Sequence, residues 1–142
     1  MSERATVTNP GWSTSGLAGA RFAPVLPEDE FLHPVAPGAG YATTETSYWG
    51  FCVPEQNLMA EIYIWFHPAL GTMSAGILLF RGKKPSSLAA DFVHHHHFLP
   101  MPAQIGNYSI DAIGLQIEVL EPLKKIRMRC KDPERNVSFD VL

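Results

Sequence analysis

The stretch Leu58 to Arg81, LMAEIYIWFHPALGTMSAGILLFR, decides the fold. Its first arm, Glu61 to His67, is rich in aromatic and β-branched residues, which fit a pleated, half-buried surface. Side chains alternate sides along a strand. Glu61, Tyr63, Trp65 and His67 therefore share one face, and Ile62, Ile64 and Phe66 share the other. The second of these faces is wholly apolar and belongs in a core. The first is aromatic with polar tips, unusual for a face turned to water, and suggests a lined cavity. Pro68-Ala69-Leu70-Gly71 sets Pro early and Gly late in a short loop, as a type I turn requires, with or without an added bulge. The second arm, Thr72 to Arg81, completes a β-hairpin.

On the N-terminal side of this hairpin, Ser47 to Val53 (SYWGFCV) reads as a strand that ends at the turn Pro54-Glu55-Gln56-Asn57. Gly50 within it marks a bulge or a close backbone approach. On the C-terminal side, Gly82-Lys83-Lys84-Pro85 ends the hairpin. Residues 86–102 read two ways: Leu88-Ala-Ala-Asp as the start of a helical turn, or Phe92 to Leu99 as an edge strand. Residues 107–110 form a short strand before Asp111-Ala-Ile-Gly114. The tail alternates most cleanly. Leu115, Ile117 and Val119 oppose Gln116 and Glu118; Ile126, Met128 and Cys130 oppose Arg127, Arg129 and Lys131; Val137, Phe139 and Val141 oppose Ser138 and Asp140. This is a three-strand antiparallel meander with one wet face. Six to eight short antiparallel strands separated by turns predict an all-β barrel or sandwich over residues 45–142. Residues 1–44, rich in Gly, Pro, Ser, Thr and Ala, predict an N-terminal arm with one helical turn at Pro27–Leu32. The alternation runs to the last residue, Leu142, so the expectation is a part of a longer protein.

A length of 142 residues predicts one domain with a real core. Hydrophobic residues make up 46% and charged residues 18%, a globular composition with a lean polar surface. The net charge of -3 gives no global attraction to nucleic acid. Residues 1–80 hold two basic and seven acidic residues, and residues 81–142 hold nine basic and seven acidic. The basic excess, Lys124, Lys125, Arg127, Arg129 and Lys131, is either a nucleic-acid groove or, as the ordinary case, a solvated strand face. Cys52 and Cys130 both sit in apolar strand patterns, where a free Cys behaves as a small hydrophobe; a single disulfide stays open. No CxxC spacing occurs. The N-terminus lacks an apolar signal segment, and no apolar run approaches the roughly 20 residues of a membrane span. A reduced, cytoplasmic protein is expected, in which the sequons at Asn107 and Asn136 carry no weight.

Two constellations bear on chemistry. The first is the internal run His94 to His97, where alternation puts His94 and His96 on one side and His95 and His97 on the other. Two imidazoles two residues apart can share a metal ion, but a catalytic zinc needs a third protein ligand. His67, His33, Asp91 or Glu61 are candidates, and no spacing selects among them. The ordinary reading is a His-rich surface strand, so no metal and no cofactor is assigned. The second is the aromatic–polar face. Tyr48, Trp49, Tyr63 and Trp65 would line an apolar site with few directing groups, the usual make-up of a small-molecule pocket. Glu45 or Glu61 would be a proton donor, its pKa raised by desolvation among aromatics, with His67 as polar director. The competing reading is ordinary core with both glutamates in water. No GxSxG, GxGxxG, P-loop or HExxH motif occurs.

The segments ETSYWGF, AEIYIWFHPALGTMSAG, LAADF…FLPMP and GLQIEVLEPLKKIRMRCKDPERNVSFDV resemble the N-terminal half of a bacterial family of uncharacterised proteins. That family is related to the hydroxyneurosporene synthase (carotenoid 1,2-hydratase) and AttH-like group. The resemblance runs from about Glu45 to the end. It implies one half of a tandem lipocalin-like (calycin-type) protein, partnered by a second barrel domain, with an apolar cavity in each half. It also implies cofactor-independent hydration or isomerisation of a polyene-like C=C bond. The His94–His97 run lies outside the group's pattern, and no catalytic residue carries over. The expected ligand is an apolar small molecule of polyene, terpenoid or fatty-acid type. The alternatives are a carrier without chemistry, or a metal-dependent enzyme on His94–His97.

Overall fold

A computed structural model describes residues 24–102 and 107–142. Eight strands form two antiparallel meanders. β1 (Glu45–Val53), β2 (Leu58–His67), β3 (Thr72–Arg81) and β4 (Phe92–Pro100) make the first sheet in chain order. β5 (Tyr108–Ile110), β6 (Leu115–Glu121), β7 (Lys125–Asp132) and β8 (Val137–Val141) make the second. The all-β expectation holds. Among the described residues the two sheets remain separate and do not close into a barrel. Residues 1–23 of the expected arm lie outside the described residues. Its helical turn is a 3-10 turn at Pro27–Glu30, and Leu32 just after it is buried in the core.

One loop recurs four times. Pro54–Asn57, Pro68–Gly71, Asp111–Gly114 and Pro133–Asn136 each join two strands by four residues. In each, the N–H of the last residue donates to the carbonyl of the first, at 2.9, 3.1, 3.1 and 3.4 Å. Pro holds its φ near the value that a type I turn needs, and the fourth residue turns left-handed at φ 51°, 66°, 60° and 53°. Gly and Asn are the residues that tolerate this conformation best. At Gly114 packing adds to the demand, because a Cβ there would strike the Lys131 carbonyl oxygen.

The apolar faces meet in one core. Ile62, Ile64 and Phe66 of β2 and Ile77 of β3 are fully buried, against Ile113, Leu115 and Ile117 from the second sheet's side. Burying each such side chain contributes roughly 1.5–3 kcal/mol. Tyr108 is buried against Phe66 and keeps its hydroxyl partnered, 3.1 Å from Ser47 Oγ. Gly50 is not bulged: β1 and β2 pair without a register shift. A Cβ at Gly50 would lie 3.1 Å from the Ala60 carbonyl oxygen, so close approach is its role. Cys52 is exposed and Cys130 buried, and neither is in a disulfide. Burial pushes the Cys130 thiol up to about 11.

Three of the five residues of the second sheet's basic stripe are ion-paired. Arg127 donates to both oxygens of Asp140 at 2.7 and 2.6 Å, and Arg129 to Glu118 at 3.3 Å. Lys124 is bonded to Glu121. The Arg127–Asp140 and Arg129–Glu118 pairs run across strands, and Lys124–Glu121 closes the β6–β7 turn.

Candidate functional site

Antiparallel register puts paired residues on the same face. Tyr48 faces Tyr63, Tyr63 faces Gly76, and Gly76 faces His95. One row away, Thr46, Trp65 and Ser74 line up; in the other direction, Gly50, Glu61, Leu78 and Val93 do. These residues form the outer face of the first sheet, turned away from the core. Tyr48, Tyr63 and Trp65 remain 60%, 41% and 42% exposed. Trp65 stacks obliquely on His67, with ring centroids 4.6 Å apart.

The structure thus brings together Tyr48, Tyr63, Trp65, Glu61 and His67, and it separates two other candidates from them. Trp49 neighbours Tyr48 in sequence but points inward, pairs with Ile62 and packs against the core. Glu45 pairs with Phe66 at the start of β1. Its carboxylate accepts the His33 backbone N–H and lies 3.0 Å from His33 Nδ1. Glu45 first, then Asp29, raises the His33 pKa. Glu45 is therefore tied to the N-terminal segment. Glu61 and His67 share a face but stand about 20 Å apart along the strand, so they cannot serve one reacting bond.

A cleft of about 510 Å³ lies at the end of this outer face. Met59, Phe80 and Leu58 give it an apolar floor, Cys52 and Glu61 line it, and Lys83 stands at its rim. The Gly82–Ser87 connection forms one wall, clipped by Asp91. Asp91 accepts the Arg81 N–H at 2.6 Å and the Lys84 ammonium at 2.8 Å. Burial first, and then the neighbouring Glu61 carboxylate, push the Tyr48 phenol up. Apolar side chains from both sheets pack together as the buried core between them.

β4 distributes the histidine run as alternation predicts. His95 and His97 turn outward across β3: the His95 ring lies over Gly76, where a Cβ would come within 2.7 Å of it. His97 Nδ1 is 3.1 Å from Ser74 Oγ. His94 and His96 turn inward. His94, 7% exposed, has its Nδ1 2.9 Å from Asp132 Oδ2 at the end of β7, and its Nε2 3.0 Å from His96 Nε2. The Nδ1 approach is off-axis for a hydrogen bond, and Nδ1 has no other partner. Asp132 Oδ1 accepts the Arg135 backbone N–H and Oδ2 the Arg135 guanidinium, each at 3.1 Å. None of the four residues named from sequence as a third ligand is there. In sequence Asp132 shows only as the Asp of an Asp-Pro turn, and nothing in its spacing links it to residue 94.

A bulge after the run keeps the pattern in phase. The register shifts between Met73 and Ala75, placing His97 and Phe98 opposite Ser74. Phe98 takes up the extra residue at φ 57° and is 88% exposed. Leu99 then returns to the core side.

No protein family, curated protein or solved structure matches this chain. No helix among the described residues is long and apolar enough to cross a membrane.

Proposed function

We propose that this chain binds an elongated apolar small molecule, of polyene, terpenoid or fatty-acid type, in the cleft beside Glu61 and along the adjoining aromatic face. The observation that carries this reading is continuity. The 510 Å³ apolar cleft opens onto the same sheet face as Tyr48, Tyr63 and Trp65. Exposed aromatics joined into one patch mark binding surfaces, whereas scattered ones do not. The Lys83 ammonium at the rim suits an anionic head group, and Met59 and Phe80 suit its chain.

In this reading the ligand lies outside the sheet, because the cleft opens on the sheet's outer face. The resemblance implies a second β domain as partner, and in this proposal that domain covers the outer face and encloses the cleft. If the whole protein is a cofactor-independent hydratase or isomerase, Glu61 is the proton donor this geometry favours over Glu45. If it is a carrier, Glu61 only lines the cleft. Glu61→Gln separates the two: both readings keep binding, and only the first loses turnover.

The test of binding is fluorescence titration of tag-free protein with cis-parinaric acid, a polyene acid. One saturable site is expected. Met59→Glu should weaken it about tenfold or more, the equivalent of about 1.4 kcal/mol. Trp49→Phe, on the inner face, should leave it unchanged. Absence of saturable binding, or equal affinity in wild type and Met59→Glu, removes the proposal.

A further inference from the structure

We propose that His94 and His96 are the protein ligands of an open site for a divalent transition-metal ion, with Asp132 orienting His94 from behind. The site lies on the opposite face of the first sheet from the cleft and stands independently of the ligand reading above.

The argument begins with the 3.0 Å between the two Nε2 atoms. Two imidazole nitrogens each about 2.0–2.1 Å from one ion, at angles from octahedral to tetrahedral, are about 2.9–3.4 Å apart. The observed pair already has the spacing of two ligands on one metal. Such a pair comes together without an ion only if one ring donates its N–H to the other. That bond and a shared ion use the same nitrogen spacing, and the ion further requires each ring to tilt so that both lone pairs converge on it.

Asp132 supplies the second element. A metal-bound histidine commonly has a carboxylate behind its other ring nitrogen, which fixes the tautomer and raises the ligand's basicity. Asp132 Oδ2 stands 2.9 Å from His94 Nδ1, and both residues are buried. The Asp132 approach is off the hydrogen-bond axis, so it acts through its charge: a proton on Nδ1 is favoured beside the carboxylate, and the His94 Nε2 lone pair is then free toward His96. Asp132 comes from the other sheet and is held by two bonds from Arg135, so its place does not depend on the histidines.

The third element is access. Both histidines line a cavity of about 340 Å³ between β4 and the Asp111–Gly114 and Pro133–Asn136 loops. Asp111 and Glu134 line it too, against Lys131 and Arg135. With Asp132 the local balance is three carboxylates to two cations, which tolerates a divalent ion. Among the described residues no group of three His, Cys, Asp or Glu is arranged around a common point. Water, or a small ligand entering the cavity, therefore completes the coordination, and the ion keeps open positions. Imidazole ligands suit zinc, copper and nickel.

The outward pair is the internal control. His95 and His97 are exposed, and their rings are spent on Gly76 and Ser74. Tag-free full-length chain, stripped with chelator and dialysed, is titrated with Zn²⁺ by calorimetry, with thermal melts to verify folding. One zinc per chain is expected. His96→Ala, at a half-buried edge position, should weaken binding by about tenfold or more, and Asp132→Asn by about tenfold to a hundredfold. The double variant His95→Ala/His97→Ala should stay within about threefold of wild type, short of that loss. Cu²⁺ electron paramagnetic resonance should show two nitrogen ligands in wild type and one in His96→Ala. No saturable zinc binding, or binding lost in the outward double variant and kept in His96→Ala, overturns the site. Unchanged binding in folded Asp132→Asn overturns the role of Asp132.

Discussion

β2 and β4 belong to the same sheet, yet they encode their two faces differently. In β2 the faces differ in chemistry, because Ile62, Ile64 and Phe66 alternate with Glu61, Tyr63, Trp65 and His67. The core takes the apolar set, and the sequence alone says which side is in. In β4 four identical histidines occupy four successive positions. Their two sides are chemically equal, so what lies across from them makes the difference. Outward, β3 offers only Gly76 and Ser74. Inward, the second sheet offers Asp132. The same side chain is a cover for a small residue on one face and half of a candidate metal site on the other.

The largest effect should come from setting the two faces of β2 against each other. Phe66→Ala empties a fully buried position and should cost about 3–5 kcal/mol in urea denaturation. Trp65→Ala, on the face above the core, should cost about 1 kcal/mol or less. Comparable costs would mean that the outer aromatic face is packed as tightly as the core, and that it is no free binding surface.

A smaller effect tests the cover that β4 lays on β3. Gly76→Ala builds a Cβ within 2.7 Å of the His95 ring and should destabilise by about 1 kcal/mol, because His95 must swing away. Adding His95→Ala should restore most of the loss, a coupling read by a double-mutant cycle. Additive costs would show that the His95 ring does not lie over β3.

The smallest effect concerns the clip that fixes where β4 begins. The Lys84 ammonium, and then the Arg81 backbone N–H, hold the Asp91 carboxyl below the ordinary aspartate value of 3.8. A group with a depressed folded pKa adds stability above its unfolded value, and that stability is lost as pH falls through the folded one. Wild type should therefore exceed Asp91→Asn in melting temperature near neutral pH. The gap should close as pH drops below 3.8 and narrow in high salt, because Asp91 and Lys84 are both partly in water. A gap that persists in acid would assign the difference to packing.

Much of the fold was legible before any coordinates. The central hairpin, the strand before it, the C-terminal meander and the loops at Pro54–Asn57, Pro68–Gly71 and Asp111–Gly114 all fall where residue types placed them. Hydrophobic periodicity and turn residues act over a few positions, so a local reading captures them. The edge strand at residues 92–100 was one of two readings, because a histidine run has no apolar period to choose between them. The site was less legible. Tyr48 and Trp49 look like one aromatic pair in sequence, but a strand sends neighbours to opposite faces, and only Tyr48 joins Tyr63. Glu45 and Glu61 looked interchangeable until the His33 contact claimed the first. Asp132 reads in the sequence only as the first residue of a turn, with nothing to tie it to His94.

The sequence by itself determined the strands, their faces and their turns, because φ/ψ preference and burial are set by residues close along the chain. Only the tertiary structure decided that the cleft lies on the outer side of the first sheet. Only it decided that an aspartate 38 positions beyond His94 stands behind that imidazole. Those outcomes depend on how one sheet packs against another. That packing is fixed by the shape and volume of the whole core, and no short stretch of the chain carries it.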